Sequence, residues 1–180
     1  MFSIPINPKL NEQQFKDFYE FLKENKDVIY DLYFTSRMPP FIQDAMGDVF
    51  NINDTAPIEA ALYIQKSLGI KVSATFNNTL VRPSQDNLDL FIHNFKFLYD
   101  AGVRSATIPH TTWILTGQIQ KAFPDLFIKN TILWDVNRAN DVAKLAEAGF
   151  HYVNLDRDLM RDRDELIKIR KVADKYKIKI

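Results

Sequence analysis

Polar and titratable side chains recur in the sequence where apolar, strand-like runs end. Such side chains can transfer protons or hydrogen-bond a substrate, and in parallel βα architectures the carboxyl ends of the strands meet on one rim. We therefore expect a substrate site on that rim. The strand-end residues are Ser36, Arg37, Asn77, Asn78, His110, Asp135, Asn137, Arg138, Asp156, Arg157 and Asp158.

His110 is the strongest candidate for proton transfer. It directly follows a strand-like run, and an unperturbed imidazole titrates close to neutral pH. His93 instead lies near the apolar face of a predicted helix, and His151 lies at the start of a strand, on the opposite rim. Asp135 and Asp156 are the carboxylates that could act with His110 as catalytic groups. With either carboxylate His110 could alternatively form a mononuclear metal site, but one histidine with scattered aspartates is a poor ligand set, so we assign no metal ligand.

The other strand-end residues are candidates for substrate binding. In the run LDRDLMRDRDEL, Arg157 or Arg161 presents a fork of donors that suits carboxylate or phosphate. Alternatively, the acidic residues of this run only start a helix, whose dipole they complement, and any single Asn, Asp or His of the rim could cap a helix or close a turn. The predicted substrate-binding residues are Arg37, Asn77, Asn78, Asn137, Arg138, Arg157 and Asp158.

The elements that would position these residues alternate along the chain. Apolar residues at i, i+3, i+4 and i+7 from Leu88 to Tyr99 predict a helix, and the strand-like runs IKVSATFNN and VRSATIPH flank it. This β-α-β unit over 70–110 is the best-defined part of the pattern. Further helices are predicted over 11–25, 57–68, 113–122, 139–148 and 163–176, and further strands over 2–6, 28–35, 127–134, 152–155 and 177–180.

About seven strands and six helices in alternation predict a mainly parallel α/β sheet with right-handed crossovers. Polar residues at alternate strand positions, such as Ser73, Thr107 and Asn130, favour a TIM-barrel-like (β/α) fold over an open doubly wound sheet. A barrel has eight strands, so either one strand escapes the count or the barrel is incomplete, without its last βα unit. We expect one domain over 1–180 that buries Phe91, Phe95, Leu98, Ile108, Ile132 and Leu145.

The connection over 36–55 is unusually long, and it contains two consecutive prolines. Loops of this length in compact domains are often functional. The alternative is a surface excursion that packs Met38, Phe41 and Met46 over one end of the core, because apolar loop residues usually cover something.

Composition limits the partners of the chain. With 23 Lys+Arg against 23 Asp+Glu the net charge is +0, so no overall positive field attracts nucleic acid or an anionic membrane. The sequence has no cysteine, so this chain cannot ligate an iron–sulfur cluster through thiolates, and its cofactor requirement is otherwise unknown from the sequence. No signal-like start and no apolar run of roughly 18–20 residues is present. We therefore expect a cytoplasmic protein whose partner is a small-molecule or peptide substrate.

Four stretches resemble, in order, the collagenase-like peptidases of family U32. They span about 70–180 and read KVSATFNNT, FLYDAGVRSATIPH, FPDLFIKNTILWDVNRANDVAKLAEAGFHYVNLDRDL and DELIKIRKVA. The resemblance implies a TIM-barrel-like fold and a peptidase or hydrolase-like activity. Asn77 matches the strand-end asparagine of the family, and Arg157 and Asp158 stand where the family commonly has Arg-Glu. Some relatives act in the hydroxylation of RNA bases or ubiquinone precursors, but they use cysteines that this chain lacks.

Three functions follow as hypotheses. The chain is an enzyme resembling these peptidases, a non-catalytic binding or assembly module on a barrel scaffold, or a fragment of a larger enzyme of the hydroxylation type. An incomplete barrel would leave its first and last strands, over 2–6 and 177–180, with unpaired edges that promote association. We therefore expect imperfect pairing across the gap, or a homo-oligomer or second chain that covers it.

Overall fold

Parallel strands and helices alternate throughout the computed structural model, which describes residues 1–6, 10–35, 38–41 and 56–180. The strands form one parallel sheet in sequence order, and they are β1 (Phe2–Pro5), β2 (Ile29–Thr35), β3 (Val72–Thr75), β4 (Ser105–Ile108) and β5 (Phe127–Asn130). The helices are α1 (Glu12–Asn25), α2 (Ala56–Leu68), α3 (Gln85–Asp100), α4 (Thr111–Leu115), α5 (Gln118–Ala122), α6 (Ala139–Ala148) and α7 (Arg163–Tyr176). Three short 3-10 helices cover Lys26–Val28, Ile132–Trp134 and Arg157–Arg161.

Two further segments extend the sheet beyond β5. Tyr152 pairs in parallel with Lys129 of β5, and Lys179 pairs in parallel with Tyr152. The five strands and these two segments therefore lie side by side in chain order, as the strands of a (β/α) barrel do. Among the described residues no backbone pairing joins β1 to Lys179. The predicted TIM-barrel-like α/β fold is thus confirmed in an incomplete form.

Helix α3 forms because its apolar residues share one face. Leu88, Phe91, Phe95 and Leu98 are fully buried on that face, and the Ser84 side chain caps the helix by accepting a hydrogen bond from the backbone N–H of Asn87. Phe91 stacks on Phe95 with ring centroids 5.6 Å apart. Although α3 is 16 residues long, neither it nor any other helix in the described ranges is long and apolar enough to cross a membrane.

Three local details differ from the sequence expectations. The helix predicted over 113–122 is split in two, because Gly117 adopts a left-handed backbone with φ 71° between α4 and α5. The strand predicted to reach Trp134 ends at Asn130, because the side chain of Thr131 accepts from the N–H of Leu133 and starts a 3-10 turn. Ile132 lies in that turn and is only half-buried, whereas the other five residues expected in the core are buried.

Candidate functional site

Two neighbouring strand ends carry buried polar atoms that have no hydrogen-bond partner in the described part of the chain. Asn77 follows β3 and His110 follows β4, and the backbone N–H of Phe76 donates to the carbonyl of Thr107 at 3.1 Å beside them. Within the described residues, neither Asn77 Oδ1 nor His110 Nε2 has a hydrogen-bond partner, although both atoms are buried. Nearly all buried polar atoms in folded proteins are paired, so these two mark a place where a further group is expected.

The environment of His110 fixes which nitrogen is available. Its side chain is hydrogen-bonded to the backbone of Val81, and because Nε2 is unpartnered, Nδ1 makes that bond. A carbonyl accepts only from an N–H, so Nδ1 holds the proton and Nε2 presents its lone pair. Burial lowers the pKa of the imidazole, and the Val81 bond offsets this in part. A neutral imidazole with a free Nε2 can accept a proton or a hydrogen bond.

Aromatic side chains surround His110. The Trp113 ring lies edge-on to the imidazole, with centroids 4.9 Å apart, and the buried Trp113 Nε1 has no partner within the described part of the chain. On the next strand end, Trp134 Nε1 donates to the carbonyl of Pro109 at 2.8 Å. The ends of β4 and β5 are therefore tied together directly beside the imidazole.

The described part of the long connection packs against this region. Phe41 is only 1% exposed and lies edge-on to Trp113, with centroids 5.9 Å apart. Asn78 Nδ2 donates to the carbonyl of Pro40 at 3.1 Å, which joins the end of β3 to this segment. For residues 38–41 the packing interpretation is therefore confirmed, since Met38 also packs on the core. Met46 lies outside the described residues.

Two asparagines join the strand ends farther along the rim. The N–H of Asn154 donates to Oδ1 of Asn130 at 2.6 Å, and Nδ2 of Asn154 donates to the carbonyl of Asn130 at 2.6 Å. In return, Nδ2 of Asn130 donates to the carbonyl of Asn154 at 3.2 Å. This reciprocal arrangement explains the polar residue at the end of β5 as a structural link.

Several predicted site residues have structural roles or lie in solvent. Asp156 is half-buried, and its carboxylate accepts from the N–H of Asp158 at 2.7 Å to cap a 3-10 helix. Asn78 Oδ1 accepts from the N–H of Leu80 at 3.1 Å in a similar turn. Asp135 has a left-handed backbone with φ 47°. The exposed predicted residues are Asp135, Asn137, Arg138, Arg157 and Asp158.

The structure describes only part of the predicted rim. Ser36 and Arg37 lie outside the described residues, so their convergence with Asn77 and His110 stays a prediction. The backbone N–H of Asp156 donates to the carbonyl of Val136 at 2.9 Å, which brings the loops that carry Asp135 and Asp156 into contact. Across the described ranges, no three His, Asp or Glu side chains are grouped so that they could hold a metal ion.

An ion pair inside the barrel was not predicted. Asp31 of β2 and Lys129 of β5 are only 1% and 6% exposed, and the Lys129 ammonium contacts Oδ2 of Asp31. Its Nζ lies 5.5 Å from the ring centroids of both Tyr30 and Tyr152. The only local signal is one charged residue in each apolar run, VIYDLYFT and FIKNTILW.

An irregularity in the sheet places two side chains of β2 together. Phe2 pairs with Ile29 while Ser3 pairs with Asp31, so β2 has one extra residue, Tyr30, opposite β1. In a regular strand, consecutive side chains point to opposite faces of the sheet. A bulge changes the direction of one of them. Tyr30 and Asp31 therefore both reach the Lys129 ammonium, although they are consecutive in sequence.

The Glu165 side chain hydrogen-bonds the start of helix α6. Its Oε1 accepts from the backbone N–H of Ala139, the first residue of α6, at 2.8 Å, and its Oε2 accepts from Lys168 at 3.0 Å. The Ala139 hydrogen bond, and next the Lys168 hydrogen bond, hold the pKa of this carboxyl below its ordinary value.

The lowered pKa of Glu165 predicts a loss of stability in acid. The folded protein protonates this carboxyl at lower pH than the unfolded chain, so its contribution is present above the ordinary carboxyl pKa and is lost as pH falls below it. We expect Glu165→Gln to lower the thermal midpoint at pH 7, and the difference from wild type to shrink towards about pH 3. Thermal unfolding followed by circular dichroism measures both. A difference that stays constant with pH would contradict the assignment.

The fold is shared with known barrel enzymes. No protein-family model matches the sequence, and no curated protein matches it either. The U32 peptidase Mk0906 has a similar structure, with a TM-score of 0.64 and 12% sequence identity over 94% of this chain and 64% of that one. The 3-hexulose-6-phosphate synthase from Salmonella typhimurium is similar over 97% of this chain and 87% of that one, with a TM-score of 0.52 and 14% identity.

An enolase from Bradyrhizobium is also similar, with a TM-score of 0.55 and 14% identity over 98% of this chain and 43% of that one. At these identities the likeness shows the fold alone, which is a barrel scaffold. The chain spans 64% of the length of the U32 peptidase.

Proposed function

We propose that the protein is an enzyme of the peptidase or hydrolase type, similar to the collagenase-like peptidases, and that it acts on a peptide or another small polar substrate. The observation that carries the proposal is a pair of buried atoms at neighbouring strand ends, Asn77 Oδ1 and His110 Nε2, which have no hydrogen-bond partner among the described residues. Barrel enzymes bind their substrates at this rim, and a bound substrate would supply the missing partners. The likeness to a U32 peptidase structure supports the same reading at the level of the fold.

His110 would act as the general base in this proposal. Its neutral Nε2 would take the proton of an attacking water and return it to the leaving amine. Asn77 Oδ1 would accept a hydrogen bond from a substrate N–H, and Asp135 and Asp156 complete the proposed catalytic set. The substrate-binding residues in the same proposal are Arg37, Asn78, Asn137, Arg138, Arg157 and Asp158, and the proposed location is the cytoplasm.

A cleavage assay with a mixture of quenched fluorescent peptides tests the proposal. We expect the wild type to cleave peptides and Asn77→Ala to lower kcat/KM about tenfold, the value of one typical hydrogen bond. The matched control is Asn25→Ala, because Asn25 lies at the exposed end of α1 that leads into the start of β2, opposite the proposed rim. Equal losses in both variants, or no cleavage by the wild type, would overturn the peptidase proposal.

A binding or assembly module is the second candidate, and the open edge of β1 favours it. Within the described ranges β1 pairs only with β2, and next to its free edge Met1 and Phe2 are 85% and 68% exposed. A strand with free backbone groups and apolar side chains can pair with another chain. Size-exclusion chromatography with light scattering should then find a dimer that Phe2→Glu returns to monomer. A wild type that is monomeric at all concentrations would contradict assembly through this edge.

A further inference from the structure

Five side chains form a polar cluster that reaches from the barrel interior to the surface, which we call the interior lysine cluster. Asp31, Lys129, Tyr30 and Tyr152 meet as described above, and the Tyr30 and Tyr152 rings are 5.7 Å apart. The fifth member is Lys179, whose Nζ lies 4.6 Å from the Tyr30 ring centroid. Its members come from β2, β5 and the two segments that extend the sheet, so the cluster joins β2 to strands that are not its neighbours in the sheet.

A contribution to the stability of the fold does not by itself explain why this cluster is present. Desolvating an ammonium and a carboxylate costs as much as their attraction returns in many proteins, and apolar residues of the same volume are often as stable. In addition, Asp31 Oδ1 is buried without a partner among the described residues. One carboxylate oxygen of Asp31 therefore contacts the Lys129 ammonium, and the second could accept a hydrogen bond from another donor.

We propose that Lys129 is a reactive amine that forms an imine with a small oxo acid bound in the barrel interior. Asp31 would be the proton acceptor beside it, and the hydroxyl groups of Tyr30 and Tyr152 would donate hydrogen bonds to the carbonyl oxygen. Lys179 would pair with the carboxylate of the oxo acid. This activity is independent of the proposed peptidase site at His110.

The step balances without an additional reactant. Asp31 takes a proton from the Lys129 ammonium, and the free amine attacks the carbonyl carbon to form the C–N bond. The carbonyl oxygen takes up protons from Asp31 and the nitrogen and leaves as water, while the nitrogen keeps one proton in the protonated imine. One ammonium and one carbonyl thus give one protonated imine and one water, with no change in oxidation state.

The surroundings of Lys129 fit these roles. Burial raises the pKa of Tyr30 to about 12 and raises the pKa of Tyr152 as well, so both hydroxyl groups stay protonated at neutral pH. Tyr30 and Tyr152 are half-buried and Lys179 is exposed, so the cluster opens to solvent on one side. Lys179 forms no ion pair with any described residue. As far as the described residues show, this ammonium is open to pair with an incoming carboxylate.

Reductive trapping tests the proposal on the intact protein. The chain is incubated with pyruvate and sodium cyanoborohydride, which reduces an imine to a stable amine, and the modified lysines are located by peptide mass spectrometry. We expect Lys129 to be modified roughly tenfold or more faster than the exposed Lys71 and Lys121, because a neighbouring base activates the amine. The exposed lysines report the background reactivity in the same molecule, so the comparison does not depend on a variant that might misfold.

Two variants separate the parts of the proposal. Lys129→Arg should abolish trapping at this position, and Lys179→Gln should slow trapping by pyruvate while leaving trapping by uncharged acetaldehyde unchanged. If wild-type Lys129 is unmodified, or reacts no faster than Lys71, the reactive amine is overturned. If Lys179→Gln slows both reagents equally, the assignment of an oxo acid is overturned. Neither outcome affects peptide cleavage at the rim.

Discussion

We expect His110→Asn to lower kcat/KM for the proposed peptide cleavage by about 10²–10⁴-fold, because a positioned general base contributes a factor of that size. Asparagine keeps a hydrogen-bonding group near the Val81 backbone but cannot take up a proton. The kinetics should be measured with the thermal midpoint of each variant, so that loss of folded protein is separated from loss of the base. His93→Asn is the matched control, since His93 lies in the outer helix α3. An activity loss in His110→Asn of no more than a few fold would contradict its role.

The lowered pKa of His110 predicts how wild-type activity should change with pH. Burial lowers the pKa of His110, so the neutral base persists to a pH below the ordinary histidine value of about 6.5. Activity should therefore fall only at more acidic pH than a solvent-exposed histidine would dictate. The same shift makes stability decline in acid, because the unfolded chain binds the proton more readily than the folded one. If activity already falls at a pH equal to or above the ordinary histidine pKa of about 6.5, His110 is ruled out as the base.

Lys129→Met lowers the free energy of unfolding by about 3–5 kcal/mol, because it leaves the buried Asp31 carboxylate without its counter-charge. Asp31→Leu should cost a similar amount by stranding the ammonium. The double variant that carries both changes should recover most of the loss, since well-packed apolar residues often replace a buried ion pair at little cost. Urea unfolding of all four proteins measures the three differences.

The double-variant comparison also separates stability from reactivity. A stable, folded double variant that has lost trapping with pyruvate would show that the pair is dispensable for the fold, as the reactive-amine proposal requires. Additive losses, with the double variant the least stable, would contradict the assignment of Asp31 and Lys129 as a directly coupled pair.

Most of the fold follows from local patterns. The apolar stripe of α3 predicts its buried face because side chains three and four residues apart lie on one side of a helix. The strands β3 and β4 on either side are likewise predicted by their β-branched and apolar residues. The errors arise at Gly117 and Thr131, where a left-handed glycine and a side-chain cap end regular structure within one residue. A periodic pattern does not resolve interruptions of that length.

The candidate site is less accessible to sequence reasoning. The position of His110 at a strand end could be predicted, because a strand-like run stops there. Its tautomer could not, because the imidazole donates its hydrogen bond to the backbone of Val81, which lies in another loop. Asp31 and Lys129 are 98 residues apart and meet only when the barrel curves. A charged residue in an apolar strand signals a polar interior, but it does not identify the residue opposite.

The most direct test of the rim as the substrate site is the ¹⁵N resonance of His110 Nε2. It is recorded with and without a slowly hydrolysed analogue of a peptide substrate. The chain has three histidines, and the signal that His110→Asn removes identifies the resonance. A substrate site at the rim predicts a neutral imidazole protonated on Nδ1 and a large change in the Nε2 shift when peptide binds. An Nε2 shift that stays constant while the peptide saturates the protein would contradict it.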